Sequence, residues 1–447
     1  MISRDEYIRR RENFISMMGN NCITIIANSD EQTRNSDVNF PFRSHSDFIY
    51  LTGFDEPNAV AVFFTKPERL DKVETKVKGK YFLFCSEKDF HKELWNGEII
   101  GLDNAVEEYD ADDAFPIDDI GDILPGLLEN KDKLVYNMGS HDYLDSHLIS
   151  WINHIKENSR YGCYAPHEII SPDHVLHEMR LFKSRAEITL MKKAAKVTAK
   201  AHARAMKNCK PNIYEYEVEA ELLYEFNKSG CKFPAYSSIV AGGSNACVLH
   251  YINNDNILND GDLLLIDAGS EYKGYAADVT RTFPVNGKFS LAQKKLYEVV
   301  LNAQLKAIDA VAIGVSWNLI HEVAVEHITQ GLLDLKILTG DLETAISEEK
   351  YKEFFMHRTG HWLGLDVHDV GEYKIHDNWR ELEKNMVLTI EPGIYIPKNK
   401  KSVPKEFRGI GIRIEDDVVV TADGALVLTA NIPKTVEDIE LLMAKNK

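Results

Sequence analysis

GDLLLIDAGSEYKGYAADVTRTFPV, residues 261–285, decides how the rest of the chain is read. Two strand-like runs flank the short polar segment from Ser270 to Gly274, which is a hairpin pattern. Aspartate is depleted in strands, so Asp267 and Asp278 stand out. A hairpin closed midway between Tyr272 and Lys273 sets these two carboxylates directly across from one another on one face. Their Cβ atoms would then be about 5 Å apart. Like charges at that separation destabilise a hairpin unless something cationic lies between them. A divalent metal ion is the economical answer. The alternative, from this segment alone, is one surface aspartate and one turn aspartate.

Three later segments add to it. FFMHRTGHWLGLDVHDV (354–370) holds His357, His361 and His368. Histidines at i and i+4 can mark a zinc-binding helix. Gly360 between them, Gly364 just after and the absence of glutamate at the second position argue against that helix; taken alone, three histidines so close fit a site and structural histidines equally. In MVLTIEPGIYI (386–396), Glu391 ends an apolar strand and precedes Pro392. A glutamate there is costly unless paired or ligated. In RGIGIRIEDDVVV (408–420), alternation turns Ile410, Ile412 and Ile414 one way and Gly411, Arg413 and Glu415 the other. Arg413 is thereby placed to orient Glu415 from behind. Read singly, this is equally an alternating strand with a solvated polar face.

Asp267, Asp278, Glu391 and Glu415 supply four carboxylates, and His361 supplies an imidazole. Such an oxygen-rich set suits cations like Mn²⁺ better than it suits Zn²⁺. One divalent ion would leave about two negative charges buried, whereas two ions would balance all four carboxylates. Paired ions are a known hydrolytic arrangement that activates a bridging water.

The remaining sequence is that of a globular protein. Its 447 residues suggest two to three domains, and 44% hydrophobic with 27% charged residues excludes a wholly disordered chain. Asp and Glu number 70 against 52 Lys and Arg, a formal charge of −18. No basic stripe is visible, so a nucleic-acid partner is not expected. There is no run of 18 apolar residues and no signal-peptide core at the N-terminus, so neither a membrane span nor secretion is expected. Six scattered cysteines without a CxxC pair fit free thiols in a reducing cytoplasm.

Residues 1–177 read as an α/β domain. CITIIAN (22–28), AVAVFF (59–64) and KYFLFCS (80–86) read as strands. The acidic stretch 102–125 reads as surface loop, followed by helix-like DILPGLLEN and strand-like KLVYNMG. APHEIISPD (165–173) suggests a boundary, with a second domain over 178–447. Ser184 and Glu187 form a capping-box pattern opening a helix that ends before Pro211. A second helix is expected to start near Asn212, with Glu215 completing its cap. Tyr214, Val218, Leu222 and Phe226 stripe one face, and Gly230 ends it. Further helical stretches are expected near 290–312 and 315–333.

At this point the chain resembles the pita-bread metallopeptidases. The order Asp, Asp, His, Glu, Glu, at spacings of 11, 83, 30 and 24, is similar to the dimetal site of that group, and the likeness is strongest to the aminopeptidase P family. FRSHSDFIYLTGFDEPNAV resembles its N-terminal domain. RLFKS, AHARAM, LHY, IDAGSEYKGYAADVTRTFPVNGKF, HWLGLDVHDVG, VLTIEPGIYI and RGIGIRIEDD resemble its catalytic domain. The resemblance implies an α/β N-terminal domain that restricts substrates and mediates oligomerisation, followed by an α+β pita-bread catalytic domain. It implies that Asp267 chelates one ion, that Asp278 and Glu415 bridge two, and that His361 and Glu391 hold the other. It makes Glu391 the proton shuttle, His368 a partner of the substrate carbonyl and His357 part of the proline side of the pocket. His250 matches another non-ligand histidine, Arg413 a residue supporting the carboxylates, and Tyr395 a neighbour of the site. Trp95, in ELWNG, is the candidate for a tryptophan that walls the pocket of a neighbouring subunit.

The implied activity is release of the N-terminal residue from peptides with proline second, by a cytoplasmic, Mn²⁺-dependent homodimer or homotetramer. A prolidase confined to Xaa-Pro dipeptides shares the metal residues. Methionine aminopeptidase would leave the N-terminal domain unexplained. A non-catalytic peptide-binding module on the same fold is the alternative from another class.

Overall fold

The computed structural model of the chain describes residues 2–65 and 81–444. Backbone proximity separates a unit over Ile2–Glu178 from one over Met179–Lys447.

The first unit is built on a six-stranded sheet. From edge to edge its strands are Asp113–Pro116, Tyr81–Cys85, Val60–Phe64, Cys22–Ala27, Lys133–Val135 and Glu168–Ile170. Cys22–Ala27 pairs antiparallel with Val60–Phe64 and parallel with Lys133–Val135, so the sheet is mixed. Its central strands are near-continuous apolar runs because both faces are covered. Lys80, the first residue of the third expected strand, lies outside the described residues.

The stretch 102–125 is not a loop. It contains the helix Gly101–Glu107, the edge strand Asp113–Pro116 and most of the helix Ile120–Leu128. Ala105, Ala111, Ile120 and Leu124 are buried, and those few apolar side chains outweigh the surrounding acids.

In the second unit the helix Arg185–Asn208 begins with the expected capping box. Ser184 Oγ accepts from the Glu187 amide, and Glu187 Oε2 accepts from the Ser184 amide. The next helix is Glu215–Lys228, starting three residues later than the Asn212 expectation. Asn212 has a positive φ of 68°, and Glu217 rather than Glu215 returns to the first turn, accepting from the Tyr214 amide. Glu215 is instead buried, accepting from Gly242, Asn245, Tyr251 and Asn256. Gly230, at φ 84°, follows the helix end as expected. Helices Leu291–Asp309 and Trp317–Asp334 form a second pair.

These helices back several short antiparallel ladders. Leu263–Asp267 lies between Ile239–Gly242 and Thr280–Pro284. Val387–Ile390 pairs with Asp416–Thr421, and Gly393–Ile396 with Ile410–Arg413. One continuous apolar core joins the helices to these ladders.

The decisive hairpin has a different register from the expected one. Tyr272 faces Tyr275, and Asp267 faces Thr280 rather than Asp278. The turn is Lys273-Gly274, with φ of 54° and 82°. Two positive φ values make a turn whose twist suits a tight hairpin, which is why the chain closes one residue later. A slip of this kind moves each partner by two positions, which preserves the face. Asp267 and Asp278 therefore become diagonal neighbours on one side of the ladder.

Candidate metal centre

The five residues singled out converge at strand ends. Asp267 closes one ladder strand, Asp278 lies in the irregular return before Thr280, Glu391 follows Val387–Ile390, and Glu415 joins two strands. His361 lies in non-helical chain between His357 and His368. Gly360 beside it has no room for a side chain, since a Cβ there would stand 2.0 Å from the Thr389 carbonyl oxygen. The Thr389 hydroxyl also accepts from the His361 amide at 3.1 Å.

Ligand atoms of Asp278, His361 and Glu415 all lie within 4.8 Å of one another. His361 Nε2 is 3.3 Å from Asp278 Oδ2 and 3.7 Å from Glu391 Oε1. Its Nδ1 faces the Trp362 carbonyl at 2.9 Å, which assigns a proton to Nδ1 and turns Nε2 toward the carboxylates, where a metal ion can replace its proton. Tyr236 Oη is 2.5 Å from both Asp267 Oδ1 and Asp278 Oδ1, yet it has one proton to give.

Electrostatics give the same picture. Burial pushes the Glu391 carboxyl up to about 7, against the opposing pull of His361 and Arg413. Burial and the neighbouring carboxylates push Glu415 well above the usual range. Asp267 is raised by burial despite Arg413. Burial also acts to raise Asp278, but its contact with His361 outweighs that and leaves it low. In return, Asp278 and Glu391 overcome the burial of His361 and raise it to about 9. The residues present thus fit a divalent pair. Two such ions with Arg413 balance the four carboxylates and a hydroxide, with His361 neutral.

Arg413 does not contact Glu415 as the strand alternation suggested. Its Nη2 donates to Asp267 Oδ2 at 2.7 Å, its Nη1 to Tyr395 Oη at 2.9 Å and its Nε to Thr280 Oγ1 at 3.0 Å. The Thr280 hydroxyl in turn donates to Glu415 Oε2 at 2.7 Å, so the link to Glu415 runs through Thr280. One strand ends at Arg413 and the next, in a different ladder, starts at Asp416, which breaks the alternation before Glu415. Tyr395 Oη donates to His357 Nε2 at 2.8 Å, and the His357 Nδ1–H donates to the Arg358 carbonyl. His357 is held neutral, its pKa lowered to about 4 by burial and by Arg413.

All five lie on a cavity of about 670 Å³, together with His250, His357, His368, Arg413, Trp317 and Trp379. His368 meets the His361 ring edge-on with centroids 4.4 Å apart. Trp95 is elsewhere, on the helix Phe90–Asn96 of the first unit, and is 85% exposed. Sequence reasoning passed over Tyr236, Thr280 and Trp317. Thr280 is recoverable from the observed register, because it is the residue opposite Asp267. No local pattern marks Tyr236.

Residues 189–422 match the profile described as metallopeptidase family M24, and residues 7–136 match that of the aminopeptidase P N-terminal domain. The chain is 44% identical over 442 residues to an Xaa-Pro aminopeptidase of Haemophilus influenzae, covering 99% of this chain and 98% of that one. Among solved structures it is similar to an aminopeptidase of Pseudomonas aeruginosa, with 51% identity, TM-score 0.96 and coverage of 100% and 99%. It is also similar to zinc-substituted aminopeptidase P of Escherichia coli in complex with product, with 42% identity, TM-score 0.95 and the same coverage.

Proposed function

Because the chain belongs to metallopeptidase family M24, with an aminopeptidase P N-terminal domain ahead of its pita-bread catalytic domain, we propose that it is an Xaa-Pro aminopeptidase. It removes the N-terminal residue from peptides whose second residue is proline. Asp267, Asp278, His361, Glu391 and Glu415 are the ligands of two divalent ions. The observation that carries this reading is the His361 Nε2 atom aimed between Asp278 and Glu391 among buried carboxylates. The donor set is oxygen-rich with a single imidazole, which favours Mn²⁺.

Two bound divalent ions supply Lewis acidity and lower the pKa of a water toward 7. The chain's own residues do the rest. Glu391, on the cavity wall among the ligands, is placed to take a proton from the attacking water and return it to the departing proline nitrogen. That nitrogen leaves as an amine and so needs the proton, which becomes the N–H that proline lacks in the X-Pro bond. His368 is placed against the substrate carbonyl, and neutral His357, fixed by Tyr395, walls the proline ring. Arg413 holds Asp267 and Tyr395 in one fork. His250 completes the substrate wall.

The N-terminal unit restricts the substrate and mediates a dimer or tetramer, in which exposed Trp95 covers a neighbour's pocket. Phe90 and Leu94 on the same helix are 75% and 71% exposed, which supports a role in contact. A reducing cytoplasm suits six free cysteines. Among the described residues no helix is long and apolar enough to cross a membrane.

The test is a matched pair, Arg-Pro and Arg-Pro-Pro, with the manganese-loaded protein. Free arginine is expected from the tripeptide. Turnover of the dipeptide alone would replace this reading by a prolidase, and turnover of neither by a binding module.

A further inference from the structure

The catalytic cavity carries a second chemical feature, away from the five ligands. A two-stranded hairpin, Lys374–Ile375 with Asn378–Trp379, contributes to the wall, and Lys374 faces Trp379 across it. Lys374 Nζ lies 4.5 Å from the Trp379 ring centroid, and Arg358 Cζ lies 4.9 Å from the same centroid. The Arg358 Nη2 donates to Asn318 Oδ1 at 2.7 Å. Among the described residues neither cation forms an ion pair with a carboxylate. In a chain of net charge −18, two cations gathered on one indole with no carboxylate in ion-pair contact are conspicuous, Glu322 acting on Arg358 only at longer range.

The other charges of the cavity are already committed. Among the described residues its acids are Asp267, Asp278, Glu391 and Glu415, and its third cation, Arg413, is tied to Asp267. Once the four acids hold their ions, Arg358 and Lys374 set the sign of the remaining wall, and that sign is positive. An aminopeptidase cuts one residue from the amine end, so the rest of the peptide must run along the wall beyond the ligands. At about 3.5 Å per extended residue, the carboxylate of a third residue lies roughly 7 Å past the scissile carbonyl. Arg358 directly follows His357, which the proposed function places beside the proline.

The geometry points to Arg358, Lys374 and Trp379 as a docking platform for a carboxylate downstream of the proline. The peptide chain lies on the indole and its carboxylate meets the guanidinium and ammonium groups. This inference rests on the aminopeptidase reading and specifies its substrates: short peptides with a free C-terminus, or longer ones with an acidic residue after the proline. The shared chemistry is a carboxylate, and two peptide pairs separate its sources.

The manganese-loaded enzyme is assayed on Ala-Pro-Ala against its C-terminal amide, and on amidated Ala-Pro-Glu-Ala against amidated Ala-Pro-Gln-Ala. The anionic member of at least one pair is expected to have a kcat/KM fivefold or more higher, carried by KM; fivefold corresponds to about 1 kcal/mol. The responding pair identifies the source. The preference should shrink as salt is added. In Lys374→Gln, and further in Lys374→Gln with Arg358→Gln, the ratio should fall toward one. Lys374 is exposed, so the single variant keeps the test readable if the double variant folds poorly. Equal rates within both pairs, or a preference that survives both substitutions, overturns the platform. Cleavage of the neutral peptides before proline would still stand, and its absence would sink the aminopeptidase reading instead.

Discussion

His361 Nε2 stands 3.3 Å from Asp278 Oδ2, with the other ring nitrogen tied to the Trp362 carbonyl. The imidazole thereby presents Nε2 to a carboxylate, where a proton satisfies it in the metal-free chain and a divalent cation would take that proton's place. His361→Ala is expected to lower both bound metal and turnover by more than the roughly 10–100-fold that a supporting residue costs. Metal analysis beside a rate assay checks this. A variant with normal metal content and rate would remove His361 from the centre.

Arg413→Lys tests the outer layer. Lysine cannot reproduce the three fixed donations to Asp267, Tyr395 and Thr280. A fall of about 10–100-fold in kcat/KM is expected, with the far-ultraviolet circular dichroism unchanged. A rate within twofold of wild type would show that the fork is dispensable.

Gly360→Ala tests the packing that seats the histidines. The added Cβ would stand 2.0 Å from a backbone carbonyl, so the chain must move. Destabilisation of about 3 kcal/mol or more is expected, because backbone cannot yield as a side-chain tip can. Denaturant unfolding measures it, and an unchanged midpoint would contradict the packing described.

His202 gives a pH prediction. Its Nε2–H donates to the Ala268 carbonyl, next to Asp267, while its buried Nδ1 has no partner among the described residues. Burial lowers its pKa from 6.5 to about 4. The unfolded chain therefore takes up a proton first. The stability this group gives is complete above about pH 6.5 and is lost as pH falls toward 4. His202→Gln keeps a donor for Ala268 and removes the titration, so its unfolding free energy should fall less steeply between pH 6.5 and 4.5. An identical slope would show that His202 does not carry the effect.

The five residues that converge were legible in the sequence because each breaks a local rule: a carboxylate where a strand wants apolar side chains, or histidines beside glycines. Face assignment for Asp267 and Asp278 survived a wrong register because it depends on parity alone. Their exact opposition did not survive, since the turn conformation of Lys273-Gly274 sets it. Arg413 lies on the cavity but has a different direct partner from the expected one, because strand alternation cannot foresee the change of ladder before Glu415. Tyr236 and Trp317 arrive from distant segments and leave no local signature. The acidic stretch 102–125 misled for the opposite reason: a few buried residues, Ala105, Ile120 and Leu124, fix its structure while the visible charges only solvate it.

The central claim is that five side chains hold two divalent ions and that these are needed to cut before proline. Metal stoichiometry and release of arginine from Arg-Pro-Pro, measured on the same samples while a chelated protein is titrated with Mn²⁺, test it most directly. Activity should be absent without metal and rise to a maximum at about two equivalents per chain. Full activity in metal-free protein, or two bound ions with no arginine released, would contradict it.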